Sequence, residues 1–221
     1  MDLNAEILPP AFAWSANGLA GLFLAVVARA TDWRRLKDFE RANAWLLTAA
    51  FIAALWAMRA EVASGLNLHL SGATFFALVF GWRLATIGMS LVCAVMTIAG
   101  NVLPLNLGAQ IFLDAVLPVS VAYGLFLLSE ARLPRHFFVY VFGPAFFGPW
   151  ITTAVLAFAT SLLLTIFGSY GWAELEDAFL PFFLILGFSE AFTTGFVITL
   201  FVVYKPHWVY TFRDDRYLTG K

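Results

Sequence analysis

Two carboxyls stand where a membrane should not tolerate them: Asp114 and Glu190 each lie within a long apolar run. Placing an acid at such a depth costs roughly 2.5–3.5 kcal/mol on insertion scales, so acids kept there are usually buried, paired and used. Gln110 precedes Asp114 by one helical turn and shares its face. His69 sits in Leu66-Asn-Leu-His-Leu-Ser-Gly72, a short connection between apolar runs, with Asn67 close before it. A chain that begins outside the membrane places Met1 and Asp2 on the same side as that connection. An amine, a carboxylate, an imidazole and an amide can then converge, and such nitrogen and oxygen donors suit a borderline divalent transition metal. Plainer roles compete with this one. His69 can serve as a hydrogen-bonded interfacial histidine, and Asp2 and Glu6 as solvated acids. Asp114 and Glu190 can bond across helices or neutralise Arg83 or Arg59. His136 and His207, among basic residues at helix ends, read as interfacial.

The elements that must position these groups follow from composition. Of 221 residues, 62% are hydrophobic and only 12% charged. A soluble domain carries about a quarter charged residues, so most of this surface faces something apolar, and the chain is an integral membrane protein. A net charge of −1 excludes a nucleic-acid partner, which requires a basic face. Cys93 is the single cysteine, which excludes an internal disulfide and a thiolate cluster. The sequences G-x-x-x-x-G-K-[ST], HExxH and GxSxG are absent, so the chain carries no nucleotide-hydrolysis or intramembrane-protease signature, and an enzyme is not expected. No prosthetic group is implied. The opening Met1–Pro10 lacks a basic stretch, so it reads as part of the mature chain rather than a secretory signal.

About 20 apolar residues cross the hydrocarbon core. The first crossing is predicted over Ala11–Ala28, followed by a connection with Arg29, Arg34, Arg35, Lys37 and Arg41, which is cytoplasmic by the positive-inside rule. A second runs from about Ala44 to Met58. Ser71–Gly100 is predicted as two short helices meeting at Gly81-Trp82-Arg83, with Arg83 at the inner turn, because Arg132 and Arg135 require an even number of crossings before them. Gly108–Leu128 is the fifth. Phe137–Phe167 is the sixth, with its first part broken by Gly143-Pro144 and Gly148-Pro149. Ala178–Tyr204 is the seventh, and the tail 205–221 stays in the cytoplasm. The expected fold is a single all-α domain of about seven transmembrane helices, N-terminus outside. Gly143 and Gly148 are spaced for close helix approach.

Three stretches resemble the substrate-binding membrane subunits of energy-coupling-factor importers for cobalt and nickel, the CbiM/NikM type. Ile7-Leu-Pro-Pro-Ala-Phe-Ala-Trp14 is similar to the family's "GFLPPAWA" block. Asn67-Leu-His-Leu-Ser-Gly72 with Phe80-Gly-Trp82 is similar to its "H-x-x-G … G-P-W" run. Asn106-Leu-Gly-Ala-Gln-Ile-Phe112 resembles "LGANVFN", and Gly187-Phe-Ser-Glu-Ala191 before Lys205-Pro206 resembles "IEG … RP". The resemblance implies a seven-helix, N-out permease subunit of the bacterial inner membrane. It implies a divalent metal, cobalt or nickel, as substrate, held by the Met1 amine and His69. Separate ATPase subunits and a transmembrane coupling subunit would supply the energy. The sequence departs from the family at Asp2, where the family has a histidine, at Gln110, where it has asparagine, and in the last span, which lacks a partner histidine. An oxygen donor at position 2 is harder than nitrogen and loses the square-planar nitrogen set that favours nickel.

The expected site is therefore Met1, Asp2 and His69, with Asn67, Gln110, Asp114 and Glu190 along the pathway. The main alternative is a structural or accessory subunit of a larger membrane complex that keeps the fold without the metal. An intramembrane acid–base enzyme built on His69 and the acids is the third reading.

Overall fold

The computed structural model describes residues 8–63, 66–167 and 170–217. Helix α1 (Pro10–Ala30) opens on a proline, whose missing N–H is one the first helical turn does not use. The basic connection after it is more ordered than its charge suggests. Asp32 accepts from the Arg34 N–H at 3.2 Å, and Asp38 caps α2 (Phe39–Ala57) by accepting from the Glu40 N–H at 3.4 Å.

The connection after α2 departs from the all-α expectation. Strands β1 (Ala60–Ala63) and β2 (Leu66–Leu68) form an antiparallel hairpin, pairing Ala60 with Leu68 and Glu61 with Asn67. The backbone groups of this connection need partners, and a hairpin supplies them locally.

The predicted break at Gly81 is present. It separates α3 (Ala73–Phe80) from α4 (Trp82–Ile98), and Gly81 has φ +81°, a left-handed conformation that residues with a Cβ rarely adopt. A Cβ there would also lie 2.7 Å from the Tyr210 ring. Eight residues make α3 only about 12 Å long.

Helix α5 (Pro104–Arg132) and helix α6 (Phe137–Ile166) each run on through a wide π turn. The first turn, Ile111–Val116, ends just before Pro118, and the second, Val141–Phe147, contains Pro144; the missing proline N–H groups cannot continue the α pattern. The expected break at Gly143–Pro149 is thus a correction: the helix widens and continues. After the short α7 (Trp172–Ala178), α8 (Leu180–Tyr204) packs along α6. Among the described residues, four helical stretches are long and apolar enough to cross a membrane: Pro10–Ala30, Pro104–Arg132, Phe137–Ile166 and Leu175–Tyr204. Leu22, Phe51, Ile185 and Phe192 face outward from the bundle, as lipid contact requires.

Close helix approach occurs elsewhere than at Gly143 and Gly148. A Cβ on Gly108 would lie 2.4 Å from the Asn17 backbone nitrogen, so α1 and the start of α5 touch backbone to backbone. Asn17 fixes the contact, accepting from the Gly108 N–H at 2.5 Å and donating to Leu105 O at 2.9 Å.

The basic segments gather at one end. Arg41 donates to His207 O at 2.5 Å, Arg83 to Ala30 O at 2.5 Å and Arg35 to Phe80 O at 2.9 Å. Glu130, near the end of α5, accepts from Tyr217 and pairs with Arg216 at 3.3 Å and Arg135 at 3.8 Å. The first basic connection, the Gly81 break, the end of α5 and the tail therefore share one face of the molecule. His136 lies there too, capping α6 through its Nδ1 at 3.2 Å from the Phe138 N–H.

Candidate functional site

The short helix α3 organises the site. It is buried along almost its whole length, so neither end can turn to water. Its N-terminal N–H groups and C-terminal carbonyls have no partners within the helix and must find them elsewhere. At the N-terminus, Glu190 on α8 accepts from the Ser71 N–H and from the Gly72 N–H, the latter at 3.2 Å. A carboxylate is the group a helix N-terminus favours, since the aligned peptide dipoles place partial positive charge there. At the other end, the tail returns as an extended segment. The Thr211 N–H and hydroxyl reach Leu78 O at 3.2 and 2.8 Å, and the Tyr210 N–H reaches Val79 O at 3.0 Å. Arg35 takes Phe80 O. Glu190 is thus bonded to backbone; the partner of Arg83 is a carbonyl, and neither neutralises the other.

His69 lies in the extended segment leading into α3. Its ring rests against Trp56, with centroids 4.3 Å apart at 33°. The Trp56 indole in turn donates to Ser71 O at 3.2 Å, which fixes both the ring and the segment. The His69 Nδ1 lies 3.4 Å from Leu70 O; a proton on Nδ1 leaves Nε2 with the ligating lone pair. The side chain is buried, away from competing water. A neutral imidazole is the form that binds metal.

His69, Ser71, Thr153 and Glu190 line one small cavity of about 10 Å³, otherwise walled by apolar side chains. That volume is near the lower limit for a single water. Asn67 is buried beside it on β2. Gln110 and Asp114 form a second pair, bonded to each other across one turn of α5 and both fully buried. Asp114 lies inside the π turn, and π turns are frequent at functional sites. Between these groups runs α6, with Thr152, Thr153, Thr160 and Ser161 buried on its bundle-facing side. The structure therefore brings His69 to Glu190 and Gln110 to Asp114. Met1 and Asp2, the other expected ligands, lie outside the described residues. Among the described residues, no three His, Cys, Asp or Glu side chains converge as a cation cage.

Several residues were not foreseen from sequence. Trp56 carried no signal, since tryptophan is ordinary near a membrane boundary. Asn17 and the α6 hydroxyls were detectable in principle, as polar groups within apolar runs.

A family model described as "Cobalt uptake substrate-specific transmembrane region" matches residues 2–208. The fold resembles the crystal structure of a transition metal transporter, at TM-score 0.76 and 23% identity over 90% of this chain and 92% of that one. It also resembles a truncated transition metal transporter, at TM-score 0.78 and 23% identity over 92% of this chain and 99% of that one. No curated protein sequence matches the chain.

Proposed function

The chain belongs to the CbiM family of cobalt-uptake substrate-specific transmembrane regions, and from that premise we propose that it is a metal-binding permease subunit in a bacterial inner membrane. The substrate is a divalent transition metal ion. His69 supplies its Nε2 and the N-terminal segment supplies the Met1 amine, with Asp2 adding an oxygen donor and negative charge. Asn67, Gln110, Asp114 and Glu190 lie along the pathway. Donors fixed in place strip the ion of water without chemistry on the chain, so the protein is a carrier rather than a catalyst. With no nucleotide-binding sequence of its own, it draws energy from ATPase subunits through a transmembrane coupling subunit.

Seven crossings with the N-terminus outside and the tail inside accompany this reading. The third is half extended and half helical. His69–Gly72 adds about 13 Å of extended chain to the roughly 12 Å of α3, near the depth of the hydrocarbon core. Non-helical backbone at that depth is tolerated only where protein buries and satisfies it, and the Glu190 bonds to Ser71 and Gly72 support that placement.

The observation that carries the proposal is the buried His69 held by Trp56 beside a carboxylate. Calorimetry of the intact protein with Co²⁺ and Ni²⁺, alongside His69→Ala, tests it. Stoichiometric binding that the substitution weakens supports the permease. The accessory-subunit reading is favoured by one feature, Asp2 at the family's histidine position, and takes over if the intact protein binds neither ion.

A further inference from the structure

A cavity of about 620 Å³ opens at the basic end of the bundle, far from the His69 side of α3. Its walls come from the first basic connection, the Gly81 break, the middle of α5 and the tail. Two guanidiniums face it. Arg35 is half-buried, with its Cζ 3.9 Å from the centre of the Tyr210 ring and one donor on Phe80 O. Arg83 is held by one donor on Ala30 O. A guanidinium has five N–H donors, so each keeps several for a ligand, while the bonds to carbonyls fix its direction. Among the described residues, neither Arg35 nor Arg83 is ion-paired with a carboxylate. The one acid in the wall, Asp32, is exposed and accepts from the Arg34 N–H. Across the cavity, the Trp82 indole donates to the Ser120 hydroxyl at 2.9 Å. On the opposite side, Gly124 and Leu127 of α5 are exposed and leave the cavity open.

Two pre-oriented guanidiniums with no carboxylate in salt-bridge contact among the described residues, in a cavity far larger than a water, match a multivalent oxyanion, which accepts bidentate N–H pairs and outcompetes the exposed Asp32 beside Arg35. We propose that this cavity binds a phosphate-bearing anion, at the level of the inner-leaflet headgroups when the basic end faces the cytoplasm. The metal reading is not needed for it. The phosphate comes from an anionic phospholipid or from free phosphate, and the test separates the two.

Native mass spectrometry of the detergent-purified chain is carried out with phosphatidylglycerol, with phosphatidylcholine, and with inorganic phosphate as competitor. One phosphatidylglycerol per chain is expected, bound at least about tenfold more tightly than phosphatidylcholine. Arg83→Gln removes an exposed side chain and should weaken binding about tenfold, the scale of one hydrogen bond to a charged group. Gly124→Leu narrows the open side of the cavity; nothing lies within 4 Å of the Cβ it adds, and leucine favours a helix over glycine. It should weaken binding of the lipid while leaving thermal stability at or above the parent's. Arg132→Gln, at the same end but outside the cavity, should change nothing. Loss of the lipid to millimolar phosphate identifies free phosphate as the ligand, and retention identifies the phospholipid. Equal binding of the two lipids with no phosphate effect, or an equal loss in Arg132→Gln, overturns the proposal.

Discussion

Replacing Glu190 probes the link that holds α3 in place. An eight-residue helix is too short to persist on its own, so α3 depends on what binds its ends. Glu190 accepts two buried backbone N–H groups, from Ser71 and Gly72, at its N-terminus. A hydrogen bond to a charged group contributes roughly 1.5–3 kcal/mol, and a buried donor left without its acceptor incurs the desolvation cost. Glu190→Ala therefore should destabilise the bundle by roughly 3–6 kcal/mol if both bonds count fully. Glu190→Gln keeps a carbonyl oxygen at the same place. Charge-assisted bonds are roughly twice as strong as neutral ones, so the amide should recover about half of the loss. Denaturation of the detergent-solubilised protein gives the order parent, Gln, Ala. Hydrogen exchange gives the location: the Ser71 and Gly72 amides should exchange faster in the Ala variant and be partly protected in the Gln variant. An Ala variant as stable as the parent, with both amides still protected, would refute the capping argument. A Gln variant with parental stability but no metal binding would make Glu190 a ligand instead of a backbone partner.

The remaining expectations test the site, its pH response and the packing. His69→Ala, and a two-residue extension ahead of Met1, should each lower metal affinity in calorimetry, and the extension should do so without changing thermal stability. An amine or imidazole must be deprotonated to bind metal, so affinity should fall as pH drops from 7.5 to 5.5. A fall of about tenfold per pH unit is expected for proton competition at the terminal amine, and a flat profile would refute a ligating amine. Gly108→Ala should destabilise measurably, since the added Cβ meets the α1 backbone. Gly21→Ala, which meets nothing within 4 Å, should be neutral or gain up to about 1 kcal/mol in the same denaturation series. A cysteine at Trp172 should react with an impermeant thiol reagent added outside cells, and one at Asp38 should not. The native Cys93 is fully buried and should stay silent in both.

Residue content alone determined the membrane class, the approximate positions of the long helices and the helix break at Gly81. It also marked Asp114, Glu190 and His69 as the groups to watch. These features follow from free energies that each residue carries by itself: transfer of apolar side chains into lipid, exclusion of charge from it, and the backbone conformation that glycine permits. The boundaries were less sharp, because α2 begins at Phe39 on an Asp38 cap and α5 at Pro104, each ahead of the apolar run that marks it. Only the tertiary structure decided which groups meet. Glu190 finds amides 118 and 119 residues away, and Thr211 finds a carbonyl 133 residues away. Neither pairing has a local signal, since a polar group in an apolar run states that it needs a partner but not which one. The choice depends on which helix faces are pressed together. In this bundle that is set by packing contacts such as Gly108 against α1, and by the two prolines that widen α5 and α6 into π turns.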